Sequence, residues 1–163
     1  MTSTRGIWYA IAALILLLLQ LNAGYVSVEN VVPDLLVIYV VVVALLEGQF
    51  AAIIAGFFIG LAYDFVSSDV PGWNALAKLV VGFIAGFFHE EGLAPAGSIG
   101  GFRFLGIVAL TAFVHNVIYY FFYVQPADLS FTSIFLRGGL AGTLYTTVIG
   151  AVVMLVAARK KTW

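Results

Sequence analysis

Apolar residues dominate the chain in long blocks, broken at intervals by short polar or glycine-rich stretches. A helix needs about 20 residues to cross roughly 30 Å of hydrocarbon. On that measure the pattern predicts spans at 7–25, 31–46, 50–66, 73–89, 103–125 and 134–157. The second block is short, because Leu35 to Leu46 between Asp34 and Glu47 covers only about 18 Å as a helix. We therefore expect Val31 and Val32 to extend it, with Pro33 in the first helical turn and Asp34 at the positive end of the helix dipole. The stretch Gly92–Gly101, rich in Gly, Pro and Ala, reads as a loop.

Composition agrees with a bilayer as solvent. The 163 residues are 63% hydrophobic and 9% charged, against about 45–50% and 25% in soluble domains. The predicted fold is an all-α integral membrane protein of about six helices forming one domain, residues 1–163. The first block, behind Arg5, also has the features of a signal peptide, with a small-residue site near Asn22-Ala23-Gly24. An uncleaved first helix is expected, since it keeps the number of spans even. With no cysteine, disulfides and thiolate sites are excluded. A net charge of −1 argues against a nucleic-acid partner.

The placement of the few charges sets the orientation. One side of the six-span arrangement holds Arg5, Arg103, Arg159, Lys160 and Lys161. The other side holds Glu29, Asp69 and Asp128 and no basic residue. Basic residues favour the cytoplasmic side, so both termini are expected there. The aromatic run Tyr119 to Tyr123 then falls at the outer interface.

Small residues four apart mark helix faces that approach closely in lipid. Ala52, Gly56 and Gly60 form one such stripe, ending at Asp64. Lys78, Gly82 and Gly86 form a second, and Gly138, Gly142, Thr146 and Gly150 a third. With spans three and four antiparallel, Gly60 is expected to meet Gly82, Gly56 to meet Gly86, and Asp64 to meet Lys78.

Asp34, Asp64, Lys78 and Arg137 all fall at a similar depth near the outer rim. They are expected either to pair internally or to line a polar site, since an unpaired charge at the centre of a bilayer costs about 3 to more than 10 kcal/mol. His115 and Asn116, in the middle of span five, read as interhelical hydrogen-bonding groups. His89 with Glu90 and Glu91 reads as a solvated helix end. No nucleophile elbow, phosphate loop or His-Glu-x-x-His metal motif occurs, and Asp64 lacks the glycine-flanked setting of intramembrane aspartyl proteases. A protein without catalytic activity, metal or cofactor is expected.

One block carries more. Pro33-Asp34-Leu35-Leu36 leads into a hydrophobic run ending Leu46-Glu47-Gly48. Gly56-Phe57-Phe58-Ile59-Gly60-Leu61-Ala62-Tyr63-Asp64, Gly72-Trp73-Asn74-Ala75-Leu76 and Val81-Gly82-Phe83-Ile84-Ala85-Gly86 follow in order. This succession resembles the MreD family of bacterial rod shape-determining proteins, over residues 33 to about 88. It departs from the family at Ser67-Ser68-Asp69-Val70-Pro71, which is more polar than the usual glycine-rich turn.

The resemblance implies a scaffold in the inner membrane, part of the elongasome that builds lateral peptidoglycan. It implies binding to MreC and, through it, links to MreB, RodA and a penicillin-binding transpeptidase, with membrane lipids around it. It also implies a bundle similar to the substrate-binding S components of energy-coupling-factor vitamin transporters, which supply the alternative function. The Ala-x-x-x-Ala patch common on the first helix of those subunits is incomplete here, since Ala10 is followed at position 14 by Leu14.

Overall fold

A computed structural model describes residues 3–29, 31–67, 70–125 and 130–159. Of the charges used to orient the chain, Asp69, Asp128, Lys160 and Lys161 lie outside the described residues. The protein is an all-α, multi-pass membrane protein. Four apolar stretches among the described residues are long enough to cross a bilayer: Thr4–Leu21, Gln49–Ser67, Phe102–Val124 and Phe131–Arg159.

In chain order, α1 (Ser3–Leu21) and a 3-10 turn (Ala23–Val26) lead to α2 (Leu35–Glu47), α3 (Gln49–Ser67) and α4 (Trp73–Gly86). A short α5 (Pro95–Ile99) precedes the long α6 (Phe102–Val124). α7 (Phe131–Ile134), a π-helical turn (Phe135–Gly139) and α8 (Leu140–Arg159) close the chain. The expected loop at 92–101 thus contains a helical turn, at Pro95–Ile99.

α2 is the centre of the bundle. Leu36 to Val41 and Val43 to Leu45 are all buried, so the helix is covered on every side, as an all-apolar helix within a larger assembly should be. It contacts α1, α3, α4, α5, α6 and α8. Its 13 residues span about 20 Å, well short of the hydrocarbon thickness.

The expected extension through Val31 and Val32 does not form. Val28 and Val31 make an isolated β-bridge, Pro33 precedes the helix, and Asp34 is its N-cap, accepting from the N–H groups of Leu36 and Val37 at 2.9 Å each. The cap wins because the first N–H groups of a buried helix have no other partner. At the other end Gly48, at φ +89°, reverses the chain in a single residue between α2 and α3. Only glycine takes that conformation without strain.

α3 and α4 pack backbone to backbone, as the small-residue stripes predict, but in a different register. A Cβ on Gly60 would lie 2.6 Å from the Asn74 carbonyl oxygen, and one on Gly82 would lie 2.5 Å from that of Ala52. Gly56 faces the backbone of Lys78, and Gly86 faces Gln49. Gly56 therefore meets residue 78 instead of 86, a slide of about two turns or roughly 12 Å. Each glycine meets partner backbone or side chain, and none meets the glycine expected opposite it.

Candidate functional site: a saturated ion-pair hub under the short central helix

The register shift is set by Asp64. Its buried carboxylate accepts from the backbone N–H groups of Gly72 (2.9 Å), Asn74 (3.1 Å) and Ala75 (3.2 Å). It therefore caps α4 and does not pair with Lys78 as expected. Three hydrogen bonds to otherwise orphaned donors at a helix N-terminus outweigh one ion pair, because Lys78 has another carboxylate to hand.

That carboxylate is Asp34. Lys78 is fully buried, and its ammonium donates to Asp34 Oδ2 at 2.8 Å and to Asn74 Oδ1 at 2.9 Å. A third contact runs to His115 Nε2 at 3.1 Å. An ammonium has three N–H donors and no acceptor, so all three are used. His115 Nε2 must then present its lone pair, which places the imidazole proton on Nδ1.

Nδ1 lies 3.4 Å from Asn116 Oδ1. The Asn116 amide nitrogen donates in turn to the Gly139 carbonyl at 2.9 Å and to Thr143 Oγ1 at 3.0 Å. A directed chain of donors thus runs from Lys78 through His115 and Asn116 into the π-helical turn. The Gly139 carbonyl at the end of that turn also accepts from Thr143 Oγ1 at 2.8 Å. His115 and Asn116 do act as interhelical bonding groups.

The same point is gripped from other helices. Gln20 on α1 accepts from Leu35 N at 2.8 Å and donates to the Pro33 carbonyl at 3.0 Å. Asp34 N donates to Thr146 Oγ1 on α8 at 2.9 Å. The entry to α2 is therefore tied to α1, α4, α6 and α8 at once. Beside it lies a cavity of about 250 Å³ bordered by Gln20, Asp34, Asn74, His115, Asn116 and Tyr119. Among the described residues, no buried side-chain nitrogen or oxygen lacks a hydrogen-bond partner, and no cluster suited to a metal ion is present.

Arg137 stands apart from this hub. It is exposed in the π-helical turn and lines two other cavities together with Glu29. Of the four charges grouped in the sequence, the structure joins Asp34 with Lys78, assigns Asp64 to the α4 cap, and sends Arg137 elsewhere. In the third stripe Gly138 packs on the Tyr120 hydroxyl, Gly142 on Asn116 and Gly150 on Val108.

Asn74, Gln20 and Thr146 belong to the hub, although the sequence pattern does not single them out as polar partners. Asn74 precedes Lys78 by four residues, the helical spacing that puts both on one face, and this is the available signal. Gln20 is a lone polar residue in an apolar helix and Thr146 one of three threonines on α8, with nothing local to name their partners.

The opposite end of the bundle is built differently. Tyr9 donates to Glu47 Oε1 at 3.1 Å, and Arg5 lies 3.7 Å from the same oxygen. Arg103 pairs with Glu90 and donates to the Phe88 carbonyl at 2.9 Å. His89 is not a solvated end, since its Nδ1 lies 2.9 Å from the Leu45 carbonyl at the C-terminus of α2 and its ring covers Gly48. The last carbonyls of a helix attract such donors.

No curated protein and no solved structure matches the chain. The family model for rod shape-determining protein MreD matches residues 3–91, more than half of the sequence.

Proposed function

The chain belongs to the MreD family of rod shape-determining proteins, and from that premise we propose that it is a non-enzymatic scaffold of the elongasome. It binds MreC in the inner membrane and, through MreC, connects to MreB, RodA and a penicillin-binding transpeptidase, supporting lateral peptidoglycan synthesis. In this reading the bundle crosses the membrane six times, with both termini in the cytoplasm and the Asp34 end outside.

One observation carries the choice of a scaffold over a solute-binding S component. The polar groups under α2 already satisfy one another: Lys78 uses its three donors on Asp34, Asn74 and His115. Ligand sites present a few convergent polar groups in roughly 300–1,000 Å³ of mostly apolar space, whereas the cavity here is about 250 Å³. A solute in that cavity would have to break the ion pair to find a charged partner. A hub of this kind holds helices in one arrangement, which suits a protein whose task is to present a fixed surface.

The test is recovery of partners from detergent-solubilised membranes of the native host, using the tagged protein. Co-purification of MreC is the expected result. Recovery of an ATPase pair with a coupling membrane protein, or of a bound vitamin, would overturn the scaffold in favour of the transporter subunit.

A further inference from the structure

Of the two cavities that contain Arg137, the smaller shares Tyr119 and Tyr120 with the cavity beside the hub, and neither is lined by a residue of the hub's hydrogen bonds. One, of about 680 Å³, is lined by Val28, Glu29, Val31, Arg137, Ala141 and Tyr145. The other, of about 510 Å³, shares Glu29, Val31 and Arg137 and is walled by Tyr119, Tyr120 and Tyr123. Their common wall thus carries one anion and one cation. Glu29 and Arg137 form no ion pair with each other or with any other described residue.

Arg137 belongs to the apolar stretch Phe131–Arg159, one of those long enough to cross a bilayer. A guanidinium in such a stretch needs an anion or water close by, and a phosphate oxygen pair matches its fork of donors. Directly C-terminal to it, α8 exposes Leu140, Leu144 and Val148 at successive turns, an apolar track on which an acyl chain can lie.

Glu29 is held in place from both sides. Its φ of +50° is unusual for a residue with a side chain. The Val28–Val31 bridge brackets it through bonds of 3.0 and 2.8 Å, and the Tyr145 hydroxyl donates to the Val26 carbonyl at 2.7 Å. The loop is thereby fastened to α8, and the carboxylate remains at the cavity.

Across from it, the rings of Tyr119 and Tyr123 stack with centroids 5.9 Å apart, while Tyr120 meets Tyr123 edge-on at 6.1 Å. Tyrosine faces attract ammonium groups, and aromatic side chains gather at the level of lipid head groups.

We propose that these two neighbouring cavities, which share Glu29, Val31 and Arg137, hold the head group of a zwitterionic phospholipid with a primary ammonium. The phosphodiester sits on Arg137, and the ammonium sits between Glu29 and the tyrosine faces. The charge pattern selects this class. Phosphatidylglycerol would set its phosphodiester on Arg137 as well but bring only a neutral glycerol to Glu29, leaving that carboxylate without a counter-charge, and a choline head group offers Glu29 no N–H donor. Free phosphoethanolamine shares the head-group chemistry but lacks the chains that would follow α8.

Native mass spectrometry of the purified protein, re-lipidated in turn with phosphatidylethanolamine, phosphatidylglycerol and phosphatidylcholine, tests this. Wild type is expected to retain phosphatidylethanolamine about tenfold better than either of the others. Arg137→Gln should weaken that retention about tenfold. Glu29→Gln should remove the preference over phosphatidylglycerol while lipid still binds, and this variant decides alone should Arg137→Gln not fold. Equal retention of the three lipids by wild type, or an unchanged preference in Glu29→Gln, would overturn the proposal. Displacement of the lipid by an equal concentration of free phosphoethanolamine would overturn its lipid source.

Discussion

The glycine stripes of α3–α4 and of α8 look alike in sequence, yet they do different things. Between α3 and α4 the missing Cβ atoms are replaced by partner backbone: the Asn74 carbonyl stands 2.6 Å from where a Cβ on Gly60 would be. Along α8 the neighbours of Gly142 and Gly150 are side chains, with Asn116 at 3.4 Å and Val108 at 3.1 Å. The first stripe fixes how close two helices come, while the second only leaves room for side chains that can move. Spacing alone does not separate the two, because it reports which residues share a face and says nothing of what lies opposite.

The tight pair also surrounds the charge. Gly56 lies on the backbone of Lys78, and the lysine ammonium reaches Asp34 at 2.8 Å with the Tyr63 ring of α3 5.5 Å away. Among single substitutions in the hub and the two stripes, Lys78→Ala should therefore have the largest effect. It leaves the Asp34 carboxylate facing His115 and Asn74 without its cation, and removing one partner of a buried pair costs about 3–5 kcal/mol. A fall in melting temperature in detergent, or loss of the folded protein on size exclusion, is the readout. Combining Lys78→Met with Asp34→Asn should recover a large part of that loss. The charge is gone from both sides, and asparagine still caps α2. If the double variant melts as low as Lys78→Ala, the pair is not the element that holds the hub.

Next in size is Gly60→Ala. Its Cβ would also be 2.7 Å from the Ala75 Cα, an approach that only movement of a backbone can relieve. Overpacking of this kind costs about 1–3 kcal/mol. The separation should spread to Asn74, whose carbonyl is struck and whose side chain holds Lys78 at 2.9 Å, so the variant should couple to Lys78→Met in a double-mutant cycle. Strict additivity would show that the helix contact and the ion pair are independent.

Asp64→Ala follows. It removes the carboxylate that accepts three N–H groups at the start of α4 while leaving Lys78 paired with Asp34, so it should cost about 0.5–2 kcal/mol, the range for a lost cap. A loss as large as that of Lys78→Ala would put Asp64 back beside the ammonium.

These cases also show how far the residues can be read before folding. The long apolar helices and the α3–α4 contact follow from hydropathy and four-residue spacing, and the cost of charge in lipid is the reason to look for partners of Asp34 and Lys78. These are local properties. The partner of Lys78 does not follow, because two carboxylates are in reach and the choice depends on which of them the α4 N-terminus claims. The same competition moves the register by two turns. The role of His89 is hidden for a related reason: its partner, the Leu45 carbonyl, is 44 residues away, and nothing near His89 in the chain points to it. The π-helical turn at Phe135–Gly139 leaves no trace in the apolar pattern, although the Gly138-Gly139 pair marks where the helix can yield.

The smallest effect expected is also the sharpest test of the contrast between the two stripes. Gly142 is buried, has the four-residue spacing to Gly138 and Thr146, and by sequence is the equal of Gly60. Yet a Cβ there would meet Asn116 Nδ2 at 3.4 Å and Val31 Cγ1 at 3.9 Å, ordinary contact distances. Against that mild crowding stands the gain from replacing a glycine inside a helix, worth up to about 1 kcal/mol. Gly142→Ala should therefore leave the melting temperature unchanged or raise it slightly. The side chain it touches is the amide that orients His115, so any displacement should also appear as a change in the His115 imidazole signals by NMR. Destabilisation matching that of Gly60→Ala would mean that α8 approaches its neighbours as closely as α3 approaches α4, and the two stripes would have to be treated as one kind of interface.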